Sequence, residues 1–271
     1  MVDTPRRRVS AQLALDVDEP ARVTVQMAVF DVEPAQVAEQ LEVTCDGRPV
    51  DIREIEVVGS GRSHVWDALP GRYEIGYQAV VEGTAAIPTV DEAQRIVFRR
   101  PSRYAESDRL APMAQAEFAG ITAADELLGA VSSWVGSRLS YVPGSSGPTE
   151  GAVDTMLRRQ GVCRDYAHLV IALLRALDVP ARLAAVYAPG LHPMDFHAVA
   201  EAAVGDAWRV VDATLLAPRS SLVRIATGRD AADTAFLSTY GGLATLLDYE
   251  VTATIDGQLP GDQVSDLVSI Q

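Results

Sequence analysis

The hydrophobic pattern of this chain changes its period near residue 100, and this change restricts the possible folds more than any other feature. Between residues 9 and 82, apolar and polar residues alternate in short runs separated by turns such as Asp46-Gly47 and Pro70-Gly71. Such alternation is typical of half-buried strands, and glycine-containing turns between the runs indicate hairpins. We therefore predict an N-terminal antiparallel β-sandwich domain over residues 1–100. Residues 95–98, "RIVF", are a further candidate strand.

After residue 100 the apolar residues recur with the helical period of about 3.6. The pattern predicts helices over residues 110–118, 123–139, 152–159 and 163–177, with Thr122 as the N-cap of the second. The last of these is apolar on nearly all sides, which is typical of a buried helix. Strands are predicted over residues 181–188, 196–204 and 207–215. Residues 101–271 therefore form an α+β domain in this interpretation, with helices first and an antiparallel sheet after them.

Composition limits the partners and the location. A chain of 271 residues with 48% hydrophobic residues can form two cores, and its net charge of −14 repels nucleic acid and anionic membranes. No stretch reaches about 18 apolar residues, and the N-terminus has no apolar signal core, so we expect a cytoplasmic protein. The two cysteines lie far apart in the sequence and are predicted to be free thiols. The oligomeric state is left open.

Cys163 begins the buried helix, and this position allows two interpretations. A single cysteine on an apolar helix is in general a small buried hydrophobic residue. A thiol with its free pKa of about 8.5 becomes a nucleophile at neutral pH when a helix N-terminus or an imidazole stabilises the thiolate. Cys163 has the first by position, and its backbone N–H, unpaired in the first helical turn, could face an oxyanion.

The predicted hairpin after the helix offers the imidazole and a carboxylate. If Gly205-Asp206 is a two-residue loop, Val204 faces Ala207, and the register places Asp212 on the same face as His197. Diagonal neighbours of this kind lie roughly 7 Å apart at Cβ, which an imidazole and a carboxylate can close to a hydrogen bond. A carboxylate on one ring nitrogen orients a catalytic histidine and leaves the other nitrogen for the thiol. A one-residue slip would put Asp212 on the opposite face.

Three segments carry a family resemblance: "GVCRDYAHL", "DFHAVAE" and "WRVVDAT". They closely resemble the transglutaminase-like superfamily, in its bacterial group of cysteine-protease type, and the likeness extends over most of the chain. The resemblance implies that residues 101–271 are a catalytic domain with a papain-like fold. In it Cys163 is the nucleophile, His197 the general base and acid, and Asp212 the orienting carboxylate. It implies attack on a carboxamide or peptide carbonyl of a protein or peptide substrate, a thioester intermediate, and hydrolysis or acyl transfer.

The sequence also departs from the animal transglutaminases. No carboxylate-rich calcium loop follows Asp212, so we expect neither a metal nor a cofactor. The tryptophan that serves those enzymes as second oxyanion donor has no clear match. Trp134 lies in a predicted helix, and Tyr141 is the candidate substrate-binding or oxyanion residue. Asp165 is interpreted as a structural residue that could support the helix N-terminus or hold Arg164.

A non-catalytic domain that acts as a binding or assembly module is the alternative to an enzyme. An intact set of cysteine, histidine and aspartate weighs against it.

Overall fold

The computed structural model describes residues 5–30, 33–57 and 61–271. The structure is mixed α/β and rich in sheet. The strands of its N-terminal part alternate between buried and exposed side chains, as the sequence pattern predicts. They are β1 (Arg6–Val17), β2 (Ala21–Val25), β3 (Gln36–Cys45), β4 (Arg48–Pro49), β5 (Arg53–Val57), β6 (Gly61–Ala68) and β7 (Gly71–Glu82).

The C-terminal part contains the helices and the remaining strands. Its helices are α1 (Glu92–Val97), α2 (Ser107–Glu117), α3 (Ala124–Arg138), α4 (Ala152–Arg158) and α5 (Cys163–Ala176), with a 3₁₀ turn at Arg219–Ser221. Its strands are β8 (Ser140–Tyr141), β9 (Gln160–Gly161), β10 (Ala181–Tyr187), β11 (Phe196–Val204), β12 (Ala207–Val211), β13 (Val223–Gly228), β14 (Leu237–Tyr240) and β15 (Ala244–Ile255). The four predicted helices are thus present as α2 to α5, with two starts as predicted and the other ends shifted by one to three residues.

Two local predictions about helices are wrong. The segment "RIVF" lies at the end of α1 and not in a strand. A capping box starts this helix: Asp91 Oδ1 accepts the Gln94 N–H at 2.7 Å, and Gln94 Oε1 accepts the Asp91 N–H at 3.3 Å. The N-cap of α3 is Ala123, whose side chain makes no capping hydrogen bond. The predicted N-cap, Thr122, therefore lies one residue before the actual one.

The strands form two main sheets, and each takes strands from both sides of residue 100. The five-stranded sheet has the order β15-β1-β7-β3-β4, and the larger sheet has the order β12-β11-β10-β13-β6-β2-β14 with β5 paired to β6. Asp46-Gly47 closes the predicted hairpin between β3 and β4. Pro70-Gly71 does not close one, because β6 and β7 belong to different sheets. The predicted boundary near residue 100 coincides with no break in either sheet, and a separate N-terminal sandwich domain stays a prediction.

Two large cores hold these layers together. One joins apolar side chains of both sheets, including Leu15 of β1 and Ile225 of β13. The other surrounds α5, whose Leu169, Ile171 and Leu173 are fully buried between the neighbouring helices and the larger sheet. Burial of each such side chain stabilises the fold by about 1.5–3 kcal/mol. The prediction of a buried helix is confirmed, and α5 is a firm support for its first residue, Cys163.

The β11–β12 hairpin has the predicted register. Val204 pairs with Ala207 and Glu201 with Val210, while Gly205 adopts a left-handed φ of 57° in the turn. Asp212 follows β12 directly. The hairpin therefore brings the C-terminal end of β12 back to the start of β11, where His197 lies.

In the described part of the chain, no helix has the length and apolar character that crossing a bilayer requires. The cytoplasmic location and the absence of membrane and nucleic-acid partners stay predictions.

Candidate active site

A short parallel strand pair places Cys163 beside Tyr141. Tyr141 of β8 pairs with Gly161 of β9, and the pairing continues as Val142 N–H donates to the Gly161 carbonyl at 3.0 Å. Helix α5 begins two residues after Gly161. The loop that the sequence analysis placed after α3 is thus fixed against the start of α5 and carries Tyr141 to the nucleophile candidate.

Asp165 stabilises this turn from within the helix. Its Oδ2 accepts the Val162 N–H at 2.8 Å, and its Oδ1 accepts the Ser146 hydroxyl at 2.8 Å. Gly161 leaves room for this carboxylate, because a Cβ atom there would lie 2.6 Å from the Asp165 Cβ. The interpretation of Asp165 as a support of the helix N-terminus is confirmed.

His197 and Asp212 form a buried pair. His197 Nε2 lies 2.8 Å from Asp212 Oδ2, and the two side chains are 0% and 2% exposed. Asp212 Oδ1 accepts two further hydrogen bonds from Thr214, one from its N–H at 2.9 Å and one from its hydroxyl at 2.7 Å. The carboxylate is therefore held at both oxygens. The sequence analysis did not assign Thr214, although an Asp followed two residues later by Thr is a local hydrogen-bonding pattern that could have indicated it.

The electrostatics of the pair favour its charged form. Burial lowers the pKa of His197, but the charge and hydrogen bond of Asp212, followed by contact with Cys163, outweigh burial and raise this pKa to about 10. Burial raises the pKa of Asp212, yet His197 and Thr214 together bring it below its ordinary value. Nδ1 of His197 is buried and makes no hydrogen bond among the described residues, which leaves it available to Cys163.

Tyr141 lies against both the backbone and the side chain of Cys163. Burial, followed by the nearby Cys163 and Asp195, raises the pKa of the Tyr141 phenol, although a backbone hydrogen bond from Cys163 acts in the opposite direction. The phenol is thus a protonated donor at neutral pH. The structure brings together all four residues that the sequence analysis selected, Cys163, His197, Asp212 and Tyr141, and Trp134 instead donates to Glu117 at 2.8 Å.

Two further polar residues near the thiol were missed by the sequence analysis. Asp195 lies two residues before His197, and its Oδ2 accepts the Tyr249 hydroxyl at 3.3 Å. Burial raises the pKa of Asp195. Burial and Asp195, with a smaller contribution from Cys163, raise the pKa of Tyr249. Tyr249 belongs to β15 of the other sheet, and no local pattern could have indicated its approach to Cys163.

An apolar cavity of about 240 Å³ opens beside Cys163 and His197. The larger sheet contributes its floor, and the segment between β13 and β14 contributes a wall. Six of its lining residues are Leu183, Ala185, Phe196, Ile225, Ala235 and Phe236.

His168 and the acidic residues that the structure describes give no sign of a metal site. His168 is buried in α5, where its Nε2 accepts the Ala231 N–H at 3.1 Å and its ring stacks on Tyr104. Burial lowers the pKa of His168 to about 3, so it is a neutral packing residue. Over residues 5–30, 33–57 and 61–271, no three His, Cys, Asp or Glu side chains converge as a metal site would require. The expectation of no metal and no cofactor stays a prediction.

Comparison with known proteins finds relatives along the whole chain. The family model for the transglutaminase-like superfamily matches residues 113–213, which include Cys163, His197 and Asp212. The crystal structure of a putative cysteine protease from Cytophaga hutchinsonii is 33% identical, with a TM-score of 0.89 over 99% of this chain and 98% of that chain. An uncharacterized protein of Mycobacterium leprae (strain TN) is 31% identical over 138 residues, 46% of this chain and 48% of the relative. The chain thus spans about half the length of that curated relative.

The fold and these matches define a mixed α/β protein of transglutaminase-like type. The chain belongs to the transglutaminase-like superfamily, which confirms the resemblance carried by its three motifs.

Proposed function

We propose that the protein is a thiol enzyme that attacks a carboxamide or peptide carbonyl of a protein or peptide substrate. Cys163 is the nucleophile, His197 the general base and acid, and Asp212 the carboxylate that orients the imidazole. In this proposal the chain has a papain-like catalytic arrangement, in which a helix carries the thiol and an antiparallel sheet carries the other two groups. The strands before residue 100 lie in the same two sheets as the strands after it, and they support this arrangement.

The observation that carries the proposal is the position of His197 between Asp212 and Cys163. The hydrogen bond of 2.8 Å from Nε2 to Asp212 holds the ring and leaves Nδ1 for the thiol. An imidazolium beside a thiol favours the thiolate, and the N-terminus of α5 adds to this effect. Burial of the Asp212 charge is unfavourable by itself, and its pairing with His197 offsets that cost.

The groups support a two-step acyl transfer. In the first step the Cys163 thiolate forms an S–C bond to the carbonyl carbon, the C–N bond breaks, and His197 gives its proton to the departing amine. In the second step His197 removes a proton from water or from an acceptor amine, which attacks the thioester carbonyl and releases the thiolate. The negative charge on the carbonyl oxygen in both steps would be stabilised by the Cys163 N–H and the Tyr141 hydroxyl.

Alkylation distinguishes this enzyme from an inactive binding module. In a Cys45→Ser background, which removes the other thiol, iodoacetamide should modify Cys163 rapidly at pH 7, and much more slowly in His197→Ala. His192→Ala is the matched control, because His192 is an exposed histidine of the loop before β11 and should leave the rate unchanged. Equally slow labelling of all three proteins would contradict the proposal and favour the binding module.

A substrate screen then addresses the direction of the reaction. Glutamine-containing peptides are incubated with and without a primary amine, and ammonia and product masses are measured. Ammonia that appears only with the amine indicates acyl transfer, whereas ammonia or cleaved peptide without the amine indicates hydrolysis. No product with any peptide, in a protein whose Cys163 is also unreactive, would refute the enzymatic function.

A further inference from the structure

The apolar cavity beside Cys163 has a composition that points to one kind of ligand. We propose that it binds a bulky apolar side chain of the acyl donor, next to the carbonyl that Cys163 attacks. The inference rests on the proposed function and adds the substrate class to it: amides or peptides with a branched aliphatic or aromatic group on the acyl side.

The size of the cavity fits one side chain. Its volume of about 240 Å³ equals roughly eight water molecules at about 30 Å³ each. A pocket for a whole drug-sized ligand begins at about 300 Å³. Small residues create the space, because four alanines line it: Ala185, Ala198, Ala231 and Ala235. Larger residues at these positions would fill the cavity.

The lining favours an apolar group over a charged one. Leu183 and Ile225, each 1% exposed, contribute buried apolar surface beneath the cavity, and no carboxylate belongs to its lining as far as the structure describes the chain. The guanidinium of Arg164, which borders it, is engaged elsewhere: it donates to the Gly147 carbonyl at 2.7 Å and to Ser146. His197 also lines the cavity, but its Nε2 is already paired with Asp212 Oδ2 at 2.8 Å. Both charged residues at the border thus have partners of their own, and a charged side chain that entered would lose water for little gain.

Aromatic rings strengthen the apolar wall. Phe196 stacks on Phe236 with ring centroids 4.8 Å apart, and both line the cavity. Tyr249 completes a three-ring cluster, with its ring centroid 5.8 Å from that of Phe236 and 6.4 Å from that of Phe196. Rings fixed by such contacts lose little conformational freedom when a ligand binds, which favours a preformed apolar pocket.

The cavity suits the acyl side of the substrate better than the amine side. The acyl group stays attached to Cys163 through both steps, whereas water or an acceptor amine must enter after the first amine leaves. Buried residues of β10 and β13 close the base of the cavity, so a side chain held there can stay in place while the second nucleophile arrives from the open side. Asp195 and Tyr249, the polar pair near the thiol, do not belong to its described lining.

Irreversible probes test the inference without a known natural substrate. We would compare N-acetyl-aminoacyl fluoromethyl ketones in which the amino acid is glycine, leucine, phenylalanine or aspartate. The Cys163 thiolate displaces fluoride from each probe and forms an S–C bond, so the side chain lies on the acyl side. The second-order rate of labelling, measured by intact mass, should be about 10- to 100-fold higher for leucine and phenylalanine than for glycine. Aspartate should give no gain over glycine.

Two alanines of the same segment form a matched pair of variants. Ala235 and Ala232 are both exposed, but only Ala235 lines the cavity. Ala235→Leu, and Ala185→Leu on the sheet side, should bring the leucine-to-glycine ratio of rates towards one, whereas Ala232→Leu should keep the wild-type ratio. Because each ratio is measured on one protein preparation, partial misfolding does not change it.

The outcomes separate this inference from the proposed function. Labelling by iodoacetamide that depends on His197, together with equal rates for all four ketones, would overturn the inference and leave the enzyme intact. A leucine preference that both cavity variants retain would also overturn it, because the side chain would then bind elsewhere. Loss of His197-dependent labelling with every reagent would overturn both.

Discussion

Replacement of Asp212 by asparagine tests the proposed role of the carboxylate most directly, because it keeps the shape of the side chain and removes its charge. In the folded protein Asp212 Oδ2 lies 2.8 Å from His197 Nε2, with both groups buried. An asparagine amide placed to donate to Nε2 would shift the ring proton to Nδ1. The nitrogen that faces Cys163 could then no longer accept the thiol proton.

The size of the effect follows from the charge of the imidazole. Burial lowers the pKa of His197, but the two Asp212 contributions and the smaller ones of Cys163 raise it to about 10, so the ring is almost fully charged at neutral pH. The asparagine variant loses the two largest contributions that raise this pKa, and we expect a return to about 6.5 or below. A pKa of about 6.5 leaves roughly a quarter of the rings charged at pH 7. Alkylation of Cys163 at this pH should therefore slow at least about fourfold.

The assay is the rate of iodoacetamide labelling between about pH 5 and 10, a range that spans both pKa values of His197, in the Cys45→Ser background. Asp206→Asn is the matched control, since this aspartate lies at the tip of the same hairpin and its side chain is 96% exposed. The control should reproduce the parent profile. If Asp212→Asn also reproduces it, the carboxylate does not control the imidazole and the reasoning is wrong.

The same pair makes the free energy of unfolding depend on pH. The folded pKa of His197, about 10, lies above its unfolded value of about 6.5, so its contribution is complete below pH 6.5 and is lost as the pH rises through about 10. The pKa of Asp212 is lowered, so its contribution is present above about pH 3.9 and is lost as the pH falls through the folded pKa. In urea unfolding, the free energy of unfolding of wild type should exceed that of Asp212→Asn most between about pH 3.9 and 6.5, where both contributions are complete. A difference that stays constant with pH would contradict this.

Three further substitutions test other parts of the site and its scaffold. Tyr141→Phe should slow turnover of a peptide substrate about 100- to 1,000-fold but not iodoacetamide labelling, which develops no oxyanion; equal losses in both assays would contradict an oxyanion role. Thr214→Val should lower the free energy of unfolding by about 1.5–3 kcal/mol in urea, because the buried Asp212 carboxylate loses a hydroxyl donor, and Thr214→Ser should restore it. Glu201→Gln should cost about 3–5 kcal/mol by the same measurement, since it removes the buried charge shared by Arg182 at 2.8 Å and Arg224 at 2.7 Å; a smaller loss would show that other partners compensate these cations.

The sequence predicted the type of most elements but not the arrangement of the sheets. Alternation along β1 and β7 is a local signal, and both are strands as expected. Their partners depend on contacts between distant segments: β15, which the sequence analysis did not assign, lies beside β1. The same limit explains the turn at Pro70-Gly71, where a hairpin signal connects two sheets. In α1, the capping box of Asp91 outweighed the β-branched residues that suggested a strand.

The part of the candidate site that one hairpin determines, the pairing of His197 with Asp212, was predictable from the sequence. The two-residue turn at Gly205-Asp206 fixes a register, and the register alone places Asp212 on the side of His197. Tyr141 could be proposed because it precedes the Cys163 helix in the chain. Tyr249 could not, since it reaches the thiol from a strand of the other sheet. The apolar cavity could not either, because it is lined by the start of α5, by β10, β11, β13 and β14, and by the loop before β14.

The hairpin register brings His197 and Asp212 together, but it does not by itself shield them from water. β12 is the last strand of its sheet, so its outer edge must be covered by another segment. The C-terminal segment supplies that cover: Val210 N–H donates to the Val268 carbonyl at 2.8 Å, and the Ser269 hydroxyl donates to the Trp208 carbonyl at 2.7 Å. Water is thereby kept from the outer edge of β12 just before Asp212. A charged pair excluded from water interacts more strongly than one in contact with it. The chain thus brings its last residues back onto the edge strand, and the strength of the proposed triad depends on a segment that contains none of its members.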